Sequence, residues 1–333
     1  MKNSKKILSW IAKFGIFILM VYFIYYKLEE KGIDYKKAFS KDGIQHSENY
    51  FLIFGALVLG IINWSLESLK WKNLVNSIQK NFTFINALQG VLMGVFLGFM
   101  TPNRIGEFGG RLFKIQSGFK IKAFSLAFRG GLAQFVTTFT LGLVSTIYVG
   151  FLCKFIDCPE FISESLLYVL LFFSTIILII FYYNFNVVVN YISKIPLLKK
   201  LIKFEYVNID VSKIGLTKIF FITILRYLVY MHQYILLAYF FSIDVDYFFL
   251  FSAVSTMLLI QTLGPSFPLI DLPYRGLILL ELLGQHSDNQ LNILFVILLV
   301  WILNLVLPAI IGYLNFINLK TEVKNEKLNN NTT

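Results

Sequence analysis

Six apolar stretches of roughly 20 residues or more run along the chain, at 7–26, 50–69, 123–150, 164–184, 214–241 and 290–316. At 1.5 Å of rise per residue such a stretch crosses about 30 Å of hydrocarbon, so each predicts a membrane-spanning helix. The first follows Lys2, Lys5 and Lys6, is interrupted by Lys13 and ends in aromatics with no small-residue cleavage site, which predicts an uncleaved anchor. Two other regions, 84–118 and 247–284, have a shorter apolar limb, a proline-containing break and a second limb that carries charges. Each predicts a helical hairpin. Backbone broken at membrane depth is tolerated only where protein or a wet cavity covers it, so both breaks are candidate sites.

The composition agrees with a lipid solvent. Of 333 residues, 57% are apolar and 15% charged, against about 45–50% and 25% in soluble domains. With 35 Phe and 18 Tyr, the chain is excluded from the disordered and collagen-like classes and does not read as a nucleic-acid-binding tail. The expected fold is an all-α polytopic membrane domain over 1–316, with six full spans and two Pro-broken hairpins. The net charge of +11 reads first as topology. Lys and Arg gather at the N-terminus, around Lys70, Lys72 and Lys80, in the 185–213 linker and in the 317–333 tail, whereas 151–163, 242–246 and 284–289 carry acids instead. The rule that positive loops stay inside places both termini in the cytoplasm, and the cell membrane is the expected location. The linker, with Lys194, Lys199, Lys200 and Lys203 among large apolar residues, is expected to be cytoplasmic; it reads equally as an amphipathic helix on the inner leaflet or as a charge cluster that only sets topology. The order span, hairpin, span over 50–150 returns over 214–316 with opposite orientation, which predicts an inverted repeat. A local echo, Pro102-Asn103-Arg104 against Pro273-Tyr274-Arg275, accompanies it.

Candidate chemistry concentrates in Thr101-Pro102-Asn103-Arg104-Ile105-Gly106-Glu107-Phe108-Gly109-Gly110-Arg111. Thr101 suits a helix N-cap and Pro102 a first helical position, so a half-helix is expected to start here. On it Arg104, Glu107 and Arg111 share a face, two cations bracketing one anion, and Gly106 with Gly110 offers a close-packing face. Arginines at a helix start suit a phosphate-bearing headgroup; an interfacial salt bridge is the competing reading. In the second hairpin Asp271, Arg275 and Glu281 lie beside prolines, where ionisable groups in a membrane are functional candidates and Asp271 with Arg275 can pair; a shallow position in the outer interface would leave them in water. Arg129 and Arg226, near the cytoplasmic starts of two spans, read either as snorkelling anchors or as further ligands. Cys153 and Cys158 match no zinc pattern and would need close placement to form a disulfide. No H-E-x-x-H, G-x-S-x-G, Walker or dinucleotide motif occurs, so no catalytic residue, metal or cofactor is expected.

Pro102, Arg104, Gly106, Glu107 and Arg111 resemble the P-x-R-x-G-E signature, with its following Arg, of the transmembrane region of lysylphosphatidylglycerol synthases and their flippase-like relatives. Asn63, Leu66, Leu69, Lys70, Trp71 and Leu74 are similar to that family's helix ending in a basic-Trp pair, and Arg129 to an Arg early in its next span. Two features depart from the pattern. Arg111 follows Glu107 by four where many relatives have three, and the second hairpin reads Gly264-Pro265-Ser266-Phe267-Pro268, then Asp271, Pro273 and Arg275. Relatives fused to a soluble aminoacyltransferase domain make and translocate a lysyl-lipid. Here only the short tail 317–333 follows the last span, so the resemblance implies translocation without synthesis. It implies a flippase-like protein whose Arg104, Glu107, Arg111, Asp271 and Arg275 receive an anionic or phosphate-bearing lipid headgroup between paired hairpins, with Pro102, Gly106, Arg129, Arg226 and Glu281 in support. The expected partners are a membrane phospholipid or polyprenyl lipid and a lipid-modifying enzyme, with no nucleic acid. Two alternatives use the same fold: a membrane-embedded lipid-linked transferase, and a non-catalytic partner of a lipid-modifying enzyme.

Overall fold

Lipid-facing helices expose apolar side chains and bury small or polar ones, and the first long helix does so. In Phe51–Val75 (α1) Phe51, Phe54 and Ile61 are exposed, while Ala56, Asn63, Glu67 and Lys70 are buried. The computed structural model describes residues 22, 47–153, 164–192, 194, 209, 211–264, 268–284 and 290–330, and the described residues are helical with no strand. After α1 come Phe84–Met100 (α2), Gly106–Arg111 (α3), Lys120–Cys153 (α4), Glu164–Tyr183 (α5) and Phe185–Ile192 (α6). Lys213–Phe240 (α7), Tyr247–Leu263 (α8), Pro268–Leu283 (α9), Gln290–Trp301 (α10) and Leu307–Asn330 (α11) follow.

Four helical stretches are long and apolar enough to cross a membrane: Phe51–Val75, Ser117–Gly150, Lys213–Phe240 and Gln290–Leu319. A fifth is bent by 83° between α5 and α6, at Asn184. These match the expected stretches from 50–69 onward. The expected anchor at 7–26 lies outside the described residues apart from Tyr22, as do Cys158 and most of the basic linker. The linker's first eight residues form α6. The expected tail is helical to Asn330, because α11 continues past the apolar stretch.

The chain forms two units. In one are the described residues up to Gly60, those from Leu141 to Asp157 and those from Val229 to Leu303; in the other are Ile61–Thr140, Cys158–Leu228 and Asn304–Thr333 as far as they are described.

In the second unit Trp71, Leu74, Val91, Leu126, Val136 and Leu216 are among the buried apolar side chains of one core. Thr83 caps α2, its hydroxyl accepting the Asn86 N–H at 3.2 Å. Helix α2 packs closely on α3 and on α11. Glycine makes both contacts close. A Cβ at Gly106 would strike the Leu97 carbonyl, one at Gly110 the Gly94 backbone, and one at Gly312 of α11 the Leu92 carbonyl. Gly110→Leu is therefore expected to destabilise the protein by about 3 kcal/mol or more, since α2 and α3 cannot separate locally without leaving the core. Thermal unfolding in detergent measures it; an unchanged midpoint would refute the packing argument.

In the first unit α8 begins at Asp246, whose carboxylate accepts the Phe248 and Phe249 N–H groups at 2.9 and 3.1 Å. It packs on α9, which packs on α10. The second limb starts at Pro268, so Pro273 is inside α9 rather than at its start. Pro102, by contrast, opens a 3-10 turn ahead of α3. The sequence echo between the two prolines is therefore not a structural equivalence.

Between α10 and α11, Ile302–Val306 is one π turn. Its cause is Pro308, which has no N–H to offer the Asn304 carbonyl and whose ring crowds it.

Candidate functional site

The first hairpin breaks where the sequence places Thr101 to Ile105, but the second limb starts later than expected. Asn103 and Arg104 both adopt left-handed backbone angles, φ 51° and 54°, so the helix begins only at Gly106. The Thr101 hydroxyl still serves this start, accepting the Gly106 N–H at 2.7 Å while donating to the Leu97 carbonyl at 3.0 Å. Asn tolerates such angles, whereas for Arg they cost about 1–2 kcal/mol. Arg104 is therefore held in the break itself and is not the first member of a helical face. Helix α3 has six residues, too few for its dipole to favour an anion at its start.

The charges nevertheless converge. Arg104 forms an ion pair with Glu107, and Arg111 lies 3.7 Å from the same carboxylate. The closer partner of Arg111 is Glu67 on α1, at 2.8 Å. Glu67 also receives Lys70 at 2.7 Å and Arg226 of α7 at 2.8 Å. Arg226 donates through Nε to Asn63 at 3.0 Å and through Nη1 to Gln134 at 3.0 Å, and Asn63 donates to Asn304 at 2.8 Å. Each of two guanidiniums also lies over an indole, Arg226 over Trp64 at 5.6 Å and Arg111 over Trp71 at 5.8 Å, at cation–π range.

Burial is graded. Glu67 and Lys70 are each 2% exposed, Arg111 12%, Arg226 19%, Glu107 22% and Arg104 31%. The innermost carboxylate thus ties together one lysine and two arginines, and the outer rim stays reachable. Among the described residues the cluster sets four cations against two carboxylates.

Glu67 was not singled out by its sequence position, and Lys70 counted there as a cytoplasmic surface charge. Both are buried, so Lys70 drops out of the topology count. Arg226 is neither a snorkelling anchor nor isolated; it is part of the cluster. Arg129 is buried as well, donating to the Ile209 carbonyl at 3.1 Å with its guanidinium 5.6 Å from the Phe185 ring. Snorkelling is therefore the wrong reading for both arginines. Gly106 lies at the contact between α2 and α3, and Glu281 is exposed.

In the first unit Asp271 and Arg275, one helical turn apart on α9, form a bidentate pair with contacts of 2.9 and 3.4 Å. Arg275 also donates to the hydroxyls of Tyr230 at 2.6 Å and Tyr234 at 2.8 Å, and Gln261 donates to Asp271. Both charged side chains are buried, so they do not lie in interfacial water. One cation meets one anion, and neutral groups take the remaining hydrogen bonds.

A family profile, the lysylphosphatidylglycerol synthase TM region, matches residues 10–270. The match contains every member of the Glu67 cluster and stops just before Asp271. No curated protein and no solved structure matches the chain.

Proposed function

Because the chain belongs to the lysylphosphatidylglycerol synthase transmembrane-region family, and is by its apolar helices an integral membrane protein, we propose that it is a flippase-like protein that binds and translocates an anionic or phosphate-bearing lipid headgroup. The observation that carries this reading is the excess of cations over carboxylates around Glu67, partly buried yet open at its rim. Uncompensated guanidiniums are costly in a membrane and mark sites that take an anion. Arg104 and Arg111 hold the headgroup. Glu107 positions them, and Glu67 with Arg226 fixes Arg111 from behind. Asp271 and Arg275, neutral as a pair and hydrogen-bonded to Gln261, Tyr230 and Tyr234, form a latch rather than a second headgroup site.

The reading includes six spans, an inverted repeat, and a cell-membrane location with both termini cytoplasmic. Chain order supports the repeat. The series α1, α2–α3, α4 parallels α7, α8–α9, α10–α11. In each series the span before the hairpin supplies partners for the arginine on the hairpin's second limb: Glu67 for Arg111, and Tyr230 with Tyr234 for Arg275. The two repeats would exchange inward and outward access around the bound headgroup, with the acyl chains remaining in lipid.

The test is reconstitution into liposomes with headgroup-labelled phospholipids. The protein is expected to accelerate exchange between leaflets, and Arg104→Ala combined with Arg111→Ala is expected to abolish that acceleration in a protein that still melts cooperatively. Unchanged exchange in the double variant would remove the site. Lipid product formed only on adding a donor would instead identify a transferase. No exchange, with a lipid-modifying enzyme co-purifying, would identify a non-catalytic partner.

A further inference from the structure

The charge distribution points to a narrower ligand class. We infer that the Glu67 cluster is built for a phosphomonoester, a headgroup carrying close to two negative charges, rather than for a singly charged phosphodiester. The inference rests on the headgroup reading above and specifies it.

The outer pair, Arg104 with Glu107, is balanced, so the imbalance lies in the inner layer. There Glu67 Oε1 takes Arg111, while Oε2 takes both Lys70 and Arg226. Three cations share one carboxylate, and two positive charges remain without a counter-charge among the described residues. A phosphodiester would neutralise one of them. A phosphomonoester carries about −1.5 to −2 at neutral pH, and three of its oxygens are strong acceptors.

Beside this layer two buried donors lack acceptors, the indole N–H groups of Trp64 and Trp71; the Nε of Arg104 in the outer pair lacks one too, and Glu67 Oε2 and Glu107 Oε1 meet cations without a hydrogen-bonded donor. Each of the two indoles lies beneath a guanidinium of the cluster. A buried donor without an acceptor costs about 1–3 kcal/mol, and these donors suit a ligand rich in oxygen.

The experiment compares lipids differing by one methyl ester. Full-length protein in detergent is titrated with phosphatidate, with phosphatidylmethanol of the same acyl chains, and with inorganic phosphate, following the thermal unfolding midpoint. Phosphatidate is expected to stabilise half-maximally at a concentration about tenfold or more below phosphatidylmethanol, from the second charge acting at close range. Inorganic phosphate is expected to stabilise more weakly than phosphatidate. Lys70→Gln, which removes one excess charge, is expected to narrow the gap between the two lipids. Equal responses to the two lipids would overturn the phosphomonoester inference and leave the headgroup reading standing. No response to either lipid would overturn both. Inorganic phosphate as potent as phosphatidate would support the dianion and remove the lipid as its source. The wild-type comparison decides the matter even if Lys70→Gln does not fold.

Discussion

Glu67→Leu is expected to be the most destabilising single substitution in the cluster, by about 3–5 kcal/mol or more. Removing the carboxylate leaves Lys70, Arg111 and Arg226 facing one another with no anion between them, in a helix whose outer face is apolar and exposed to lipid. An unpaired buried charge carries a desolvation cost of several kcal/mol, and like charges at this distance repel. Glu67→Gln keeps the shape and part of the hydrogen bonding but not the charge, so it should fall between wild type and Glu67→Leu. Removing a rim group such as Glu107 should cost far less, because Arg104 can turn to water or headgroups. Thermal or denaturant unfolding in detergent ranks the three. If Glu67→Leu shifts stability by only about 0.5 kcal/mol, as an ordinary surface change does, Glu67 is not the centre of the network.

A cycle on Asp271 and Arg275 carries the second large effect. Either single replacement by an apolar residue is expected to cost about 3–5 kcal/mol, and the double replacement Asp271→Leu with Arg275→Met much less than the two costs together. The singles should not be equal. With Arg275 removed, Asp271 keeps its bond from Gln261, while Tyr230 and Tyr234, 3.5 Å apart, bond each other. With Asp271 removed, the guanidinium cannot shed its charge and retains only two phenol partners, so Asp271→Leu should be worse. The double variant also decides what the pair does. If lipid exchange survives in it, the pair is structural; if stability returns while exchange is lost, the pair gates transport. Additive costs would mean that the two groups do not act on each other.

The five expected stretches from 50–69 onward and the break of the first hairpin were legible because a long apolar run and a proline within one act locally, through helix length and a missing N–H. The Arg104–Glu107–Arg111 set was legible from spacing, although Arg104 reaches Glu107 from a left-handed turn rather than from a helix face. What spacing did not give is the anion that organises the cluster. Glu67 reaches Arg111 across 44 positions and Arg226 across 159, and no local rule ranks it above other acids. A signal was present, since Asn63, Glu67, Lys70 and Trp71 lie at i, i+4, i+7 and i+8, one stripe of polar and aromatic groups on a mostly apolar helix. Lys70 was misassigned for the same reason: beside Lys72 it looks like part of a cytoplasmic charge cluster, and only its partner shows that it faces inward.

The widened turn that Pro308 imposes at Ile302–Val306 alters how residues on either side can be compared. One extra residue in a turn rotates everything beyond it by about 100° relative to an uninterrupted helix. A helical wheel drawn straight through 290–319 would therefore assign Gly312 to the wrong side, away from the Leu92 carbonyl it approaches. Relatives that lack a proline at this place should carry their small residue one position earlier.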